Sequence, residues 1–458
     1  MEVLATAGVA YGSREAIELL AGAGATVDRE RLTARLTDEL VQAALAMIPG
    51  EVLLAARDST RDVVVGGDRP LSVCSDGTAT YLLDDATGAR LPGTADRLRT
   101  VMRLLDALPE CDYVWPSLSA RDLDPATANL EIEYIALAEC GKHLQDEVRG
   151  PEFVAPLVEM LEAVAGASLK QRPIFSAINC TVAPLRHDAA MTAASLELAR
   201  RGVPIIIMPM PLMVTTAPAS PMGNCLVTMA EILSTVVLLQ LAAPGCALIA
   251  APEPGTADIR TGQYVCGAPE ATMASLASLE MCRFYGLPTQ VGGLGGDARY
   301  PDFQEGAEGA VPAVLAALAG ADSLVGFGTL DGAQSFSLAD AVLDNDVIGS
   351  LRRLLGEFPV GRTTSLVDDI VAVGPGGHFL SRRSTRAGVR AGQVWEPAVF
   401  RRGRAEGDPR ALVQEAATRA AELLESHEPL PLDEAVVRDV EGVLKRYART
   451  SASRSASC

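Results

Sequence analysis

The sequence predicts an α/β fold, a (β/α)8 TIM barrel with an N-terminal helical and β-rich extension and C-terminal helices, on three observations. Beyond residue 94, short apolar runs ending in Gly or Pro alternate with Ala/Leu-rich amphipathic segments, the rhythm of βα units. Eight such runs can be picked out, the number that closes a barrel. No Gly-rich nucleotide fingerprint follows the first of them, which counts against an open doubly wound sheet.

Taken in order, residues 14–48 read as a helical cap, because REAIELLAGAG and RERLTARLTDELVQAALAMI place apolar residues at three- and four-residue steps. From Glu51 to about Pro92 the runs are short and alternating, as in EVLLAARD and VVVGG, and read as a small β-rich subdomain ending near Thr94. The barrel is then expected over residues 95–380. Its candidate strands are CDYVW (111–115), GKHLQ (141–145), RPIFSAIN (172–179), VPIIIMP (203–209), CALIAA (246–251), TQVGG (289–293), SLVGFG (323–328) and a weaker VDDIVAV (367–373). Residues 381–448 carry two helices separated by the Pro-rich turn EPLPLDE, and 449–458 form a small, polar tail expected to be disordered.

Composition narrows the function. Hydrophobic residues make up 48% of the chain and aromatics only 4%, so the core is expected to be Ala, Leu, Val and Ile. With 58 Asp and Glu against 39 Lys and Arg, the net charge of −19 opposes nucleic acid and anionic membrane surfaces; it permits a cationic small molecule, and solubility accounts for it about as well. Nine cysteines are scattered singly, without CxxC spacing, and read as buried thiols in a reducing, cytoplasmic compartment. The first twenty residues lack a signal-peptide pattern, and no run of about 18 uninterrupted apolar residues suggests a membrane span.

In a parallel barrel the working groups follow the strands. Lys142, His143 and Gln145 lie in or beside GKHLQ, and Asn179, Thr181, His187 and Asp188 follow RPIFSAIN. After CALIAA come Asp258, Arg260, Thr261 and Glu270, whose charges are expected to brace one another at the mouth. After TQVGG come Asp297, Arg299, Asp302, Gln304, Glu305 and Glu308, either a ligand site or the acidic start of the next helix; for Glu305 and Glu308 the helix-dipole reading is preferred. The histidines belong to no HExxH or Cys/His set, so no metal site is expected, and GxSxG and P-loop motifs are absent. GPGGHF (374–379) reads as a tight turn in preference to an anion nest.

Several strings, in one order over residues 15–445, resemble the trimethylamine methyltransferase family, in its non-pyrrolysine branch with the glycine betaine corrinoid methyltransferases. They are RPIFSAINCTVAPLRHD (172–188), the AE…LLQL..PG run at 230–245, DIRTG…GAPE (258–270), YGLP…GGDARYPDFQEGAE (285–308) and GPGGHFL (374–380). The resemblance implies a barrel whose mouth binds a methylated amine, with a methyl group passing in line to Co(I) of a separate corrinoid protein. The corrinoid would thus come from the partner, with no cofactor held tightly by this chain, and the chain would form a homo-oligomer.

Because the chain is written in the standard twenty residues, without pyrrolysine, a quaternary amine is the expected substrate. The candidates for catalysis are His143, Asp297 and Asp302, and those for substrate binding are Lys142, Asn179, Tyr264, Arg299, Gln304, Phe327 and His378. Aromatic faces suited to an ammonium head are Tyr113, Trp115, Tyr264, Tyr300, Phe303 and Phe327. Asp258, Arg260 and Glu270 would be structural at the mouth.

The sequence departs from the quaternary-amine pattern at Gly326-Phe327, where a His-Asp pair is expected. It departs again at TAPASP (216–221) and at Ser384-Thr385. Two alternatives stand beside the methyltransferase: a barrel that binds a small cation without turnover, and a lyase using Lys142 as a Schiff-base amine.

Overall fold

The computed structural model describes residues 1–67, 69–358, 360–402 and 411–455. Eight parallel strands form the central sheet: β1 (Ser72–Ser75), β2 (Tyr113–Val114), β3 (His143–Glu147), β4 (Phe175–Cys180), β5 (Ile205–Met208), β6 (Leu248–Ala250), β7 (Gln290–Gly292) and β8 (Ser323–Phe327). Their order is β6-β5-β4-β3-β2-β1-β8-β7, and a parallel bridge from Ala250 to Thr289 joins the two ends, so the ring closes. Each strand is followed by a helix: α1 (Ala95–Ala107), α2 (Ala128–Glu139), α3 (Pro151–Ala165), α4 (Ala189–Arg200), α5 (Pro221–Ala242), α6 (Pro269–Phe284), α7 (Phe303–Leu318) and α8 (Leu338–Leu355). The expected barrel is present.

Two strand assignments change. VDDIVAV is the helix Val367–Val373, because Asp368 and Asp369 suit a helical first turn and Gly374 ends it at φ 65°. The missing strand is β1, inside the segment read as the N-terminal subdomain. All four of its residues are buried, so the alternation that marks a half-exposed strand is absent, and two serines lower its apolar signal. The barrel therefore runs from Ser72 to Leu355, not from residue 95 to 380.

The chain before β1 closes the barrel's N-terminal end. An antiparallel hairpin, Glu51–Leu54 with Val63–Gly66, sends Val52, Leu54 and Val65 into the barrel interior beside Cys74, Tyr113, Ile178, Ile206 and Ile249. The opposite end is built from excursions after the strands. Leu212–Met213, Gly255–Ala257 and Tyr264–Val265 make one small sheet; Tyr81–Asp84, Ala89–Pro92, Thr329–Leu330 and Ser335–Phe336 make another.

Helix α5 is long and apolar enough to cross a membrane, but 78% of its most apolar stretch is buried within the protein. It is apolar all round because the barrel covers one face and the N-terminal helices cover another, and Thr228, Glu231, Ser234 and Thr235 are buried along it. Helix Leu412–Ser426 packs on α8 and α1, and Glu434–Ser455 packs on α3 and α2. The last helix continues through residues 449–455, where disorder was expected; residues 456–458 lie outside the described residues.

Candidate active site

A cavity of about 320 Å³ opens at the C-terminal end of the strands. Every strand contributes at or just past its end: Asp76, Trp115, Glu147, Cys180, Met208, Glu253, Gly292 and Gly326, with Tyr264 from the hairpin after β6. This is where a closed parallel barrel gathers side chains from many loops.

The lining combines carboxyl groups with aromatic and thioether surface. The Trp115 indole N–H donates to Asp146 Oδ1 at 2.6 Å, which fixes the ring at the cavity wall. Asp146 is in turn pushed up to about 6, mainly by burial. Behind it, burial and then the Asp146 charge push Glu133 far above the carboxylate range. Glu147 accepts from the Cys180 thiol at 3.2 Å and pairs with Arg149 at 3.4 Å.

Glu253 differs from its neighbours. Its Oε1 is buried without a hydrogen-bond partner. Burial first, and the Asp76 charge second, push its carboxyl up to about 8. Asp76, which accepts from the Gly77 amide at 2.7 Å, is itself raised by burial. Gly292 makes room for Glu253, since a Cβ there would fall 2.5 Å from Oε2. An unpartnered carboxyl oxygen facing an apolar cavity costs free energy unless a ligand satisfies it.

The expected site residues separate into three groups. Tyr264 lines the cavity, and Gly255 leaves space for its ring, because a Cβ there would come within 2.4 Å of it. Asp297 stands behind the wall, accepting from the Cys266 and Gly267 amides at 3.1 and 2.9 Å, while its own amide donates to Glu308 at 2.8 Å. Asp258 holds a turn through the Arg260 and Thr261 amides, both at 2.8 Å, and Arg260 and Glu270 are exposed beside it.

The remaining expectations are corrected by position. His143 is fully buried at the opposite end of the barrel, its Nδ1 bonded to Ala55 O and its Nε2 to Ser176 Oγ, each at 2.9 Å. Burial lowers its pKa to about 4, so it is neutral and spent on structure. Lys142 gives its ammonium to the carbonyls of Leu105 and Leu108 near the end of α1, away from the cavity, which removes the geometric basis for a Schiff-base lyase. Asp302 is the N-cap of α7, accepting from the Gln304 and Glu305 amides at 2.8 and 3.3 Å. Such a cap is worth about 1 kcal/mol to a helix.

Asn179 faces α4 and donates to Ser195 at 2.8 Å. Arg299 is exposed and pairs with Asp331 at 3.4 Å, and Gln304 bonds Glu308 at 2.8 Å. Phe327 is wholly buried in the layer between strands and helices, and His378 is exposed in the segment after the barrel. Among the other aromatics, Tyr113 bonds Ser323 at 2.6 Å in the interior, Tyr300 bonds Asp85 O at 3.0 Å, and Phe303 is exposed. The eight described cysteines are free thiols, but Cys180 and Cys266 line the cavity and are not fully buried; Cys458 lies outside the described residues.

A family model described as trimethylamine methyltransferase matches residues 1–451. The chain belongs to the trimethylamine methyltransferase family. Among relatives of this methyltransferase, a trimethylamine methyltransferase of Desulfitobacterium hafniense is 27% identical over 450 residues, covering 97% of this chain and 90% of that protein. One from Methanosarcina thermophila is 28% identical, covering 96% and 93%. A glycine betaine methyltransferase of Desulfitobacterium hafniense is 27% identical over 390 residues, covering 84% and 81%. The crystal structure of the Methanosarcina barkeri monomethylamine methyltransferase aligns over 98% of this chain and 96% of its own, at 12% identity and a TM-score of 0.49.

At Gly326, in the pair expected to depart from the quaternary-amine pattern, the backbone itself calls for glycine. Gly326 sits at an irregularity of β8 with φ 130°, and a Cβ there would lie 2.6 Å from the Gly295 amide. Sequence reading passed over Asp76, Glu147 and Glu253. Each lies within three residues of a barrel strand's end, in SVCSD, HLQDE and LIAAPE, and that position was the available signal.

Proposed function

We propose that this methyltransferase takes a methyl group from a small methylated ammonium compound, preferentially quaternary, and that the acceptor is the corrinoid of a separate protein. The observation that carries the reading is the pairing, in one cavity, of the Trp115 and Tyr264 faces with the buried, unpartnered carboxyl of Glu253. An ammonium head over an aromatic face gains about 0.5–2 kcal/mol. The same positive charge favours the ionised form of Glu253.

A cavity of about 320 Å³ suits a small amine but not a corrinoid ring, so the acceptor would meet the substrate at the opening. Exposed apolar side chains in the loops there, Val182, Met210, Val214 and Ile259, offer a surface for its protein. When docked, the corrinoid supplies a Co(I) nucleophile for the methyl carbon. This chain holds the ammonium so that one methyl faces the opening, and keeps water from the reacting face. A quaternary substrate leaves as a neutral tertiary amine, so no residue need deliver a proton. Asp297 acts here as a positioning residue that ties the Cys266–Gly267 loop to Glu308 of α7.

Arg149, the one Lys or Arg in the described lining, is already paired with Glu147, so the carboxyl groups of Asp76, Glu253 and Glu308 leave the lining balanced toward a cation. The homo-oligomer is supported by the segment after α8, where Phe358, Val360 and Leu380 are 90%, 89% and 79% exposed. A cytoplasmic setting is supported by the free thiols.

The test is a spectroscopic assay with chemically reduced cobalamin, then with a cognate corrinoid protein, across a panel of quaternary and tertiary methylamines. Methyl-Co(III) formation with one quaternary amine is the expected result. Tight amine binding without methyl-Co(III), in both formats, would favour the binding barrel instead.

A further inference from the structure

A second cavity, of about 350 Å³, lies outside the barrel between α7 and α8 and shares no lining residue with the mouth. Glu305 of α7 and Asp340 and Asp344 of α8 line it, together with Phe303, Leu343, Val347 and Phe400. Glu305 and Asp340 are each 4% exposed, yet neither oxygen of Glu305, nor Oδ2 of Asp340, has a hydrogen-bond partner. Asp344 accepts from the Gly328 amide at 2.8 Å. No Lys or Arg is among the described lining. Three buried carboxyl groups, two of them with unpartnered oxygens and with no cation among the described lining residues, form an uncompensated arrangement.

We propose that this cavity is a second binding site, selective for a small alkylammonium ion that still carries an N–H. Here three oxygens, two of Glu305 and one of Asp340, lack partners, and no Trp or Tyr is among the described lining to hold a quaternary head as at the mouth, so charge alone leaves them unsatisfied and an N–H donor is needed, while the apolar walls need alkyl groups to cover them. A hard metal ion fits less well, because it wants about six or more oxygen ligands at close range. No three such groups among the described residues stand close enough to hold one. Burial, and for Glu305 next the Asp344 charge, push Glu305 up to about 9 and Asp344 up to about 7, the electrostatic counterpart of the missing cation. If the mouth releases a tertiary amine, that amine belongs to this class once protonated. Only this identification rests on the reading of the mouth; the binding site itself does not.

Calorimetric titration of the full chain with trimethylammonium chloride, tetramethylammonium chloride, NaCl and KCl at matched ionic strength tests the proposal. The Glu253→Gln variant removes the carboxyl at the mouth, and Glu305→Gln combined with Asp340→Asn removes those of the second cavity. The expected result is a trimethylammonium component that survives Glu253→Gln and weakens at least about tenfold in the double variant, a difference of roughly 1.4 kcal/mol. Tetramethylammonium should not produce it. Both substitutions in the double variant keep side-chain shape and resemble the neutral carboxyls that burial favours in the unliganded protein, so its melting temperature should stay close to wild type and confirm folding. No component surviving Glu253→Gln, one unaffected by the double variant, or one matched by Na⁺ or K⁺ would overturn the assignment.

Discussion

The two ends of the barrel treat polar groups differently. At the N-terminal end, Lys142 meets two backbone carbonyls, His143 has partners on both ring nitrogens, and Tyr113 bonds Ser323 across the interior. At the C-terminal end, Glu253 presents a buried oxygen that nothing satisfies, among aromatic and thioether surface. Partnered polar groups specify a fold, whereas a carboxyl left short of partners in a cavity is poised for a ligand. The contrast also explains why residue type alone misassigned function: the histidine and lysine have catalytic chemistry but no free atoms with which to use it.

The sharpest way to break this comparison is Glu253→Gln. It should lower kcat/KM for a quaternary amine by roughly 10- to 100-fold, because the ammonium loses a counter-charge in a partly desolvated site. In the wild type, kcat/KM should rise with pH through about 8, because a cation binds the ionised form and burial keeps much of the free enzyme's Glu253 protonated below that pH. The variant should lose that rise. Next in size is Trp115→Ala, which removes an ammonium-facing ring and should raise KM about tenfold, with a smaller change in kcat, in the same steady-state assay.

Lys142→Met at the other end should leave kcat/KM within about twofold, while lowering thermal stability by about 1–3 kcal/mol as two carbonyls lose their donor. A further effect is gradual in pH. His143 and His187 are both lowered to about 4 by burial, below the unfolded value of about 6.5. Between those values the unfolded chain binds more protons. Stability is therefore present above about pH 6.5 and lost as pH falls toward 4, which denaturant melts at stepped pH would display.

Much of the fold was legible because strands such as VPIIIMP and CALIAA are short continuous apolar runs between helical patterns. β1 was not, since a four-residue strand with two serines shows neither alternation nor an apolar run, and its identity depends on pairing with β2 and β8 far along the chain. VDDIVAV misled because its apolar residues fit a strand and a short helix equally well. At the site, Tyr264 lies in the cavity lining, while Asp302, whose residue type suits chemistry, has the geometry of a helix cap. The signal separating Glu253 from other carboxylates is burial without a partner, which emerges only when β6, β7 and the loop after β1 converge.

Methyl transfer in this cavity depends on where the ammonium sits. Tetramethylarsonium has the shape and charge of a quaternary ammonium, and its arsenic scatters anomalously, so a crystal soaked with it would locate the cation directly. The expected result is an arsenic peak in the mouth cavity, in contact with the Trp115 and Tyr264 rings and beside Glu253 Oε1. A mouth left empty at saturating concentration, or a peak in it remote from all three groups, would contradict the central claim.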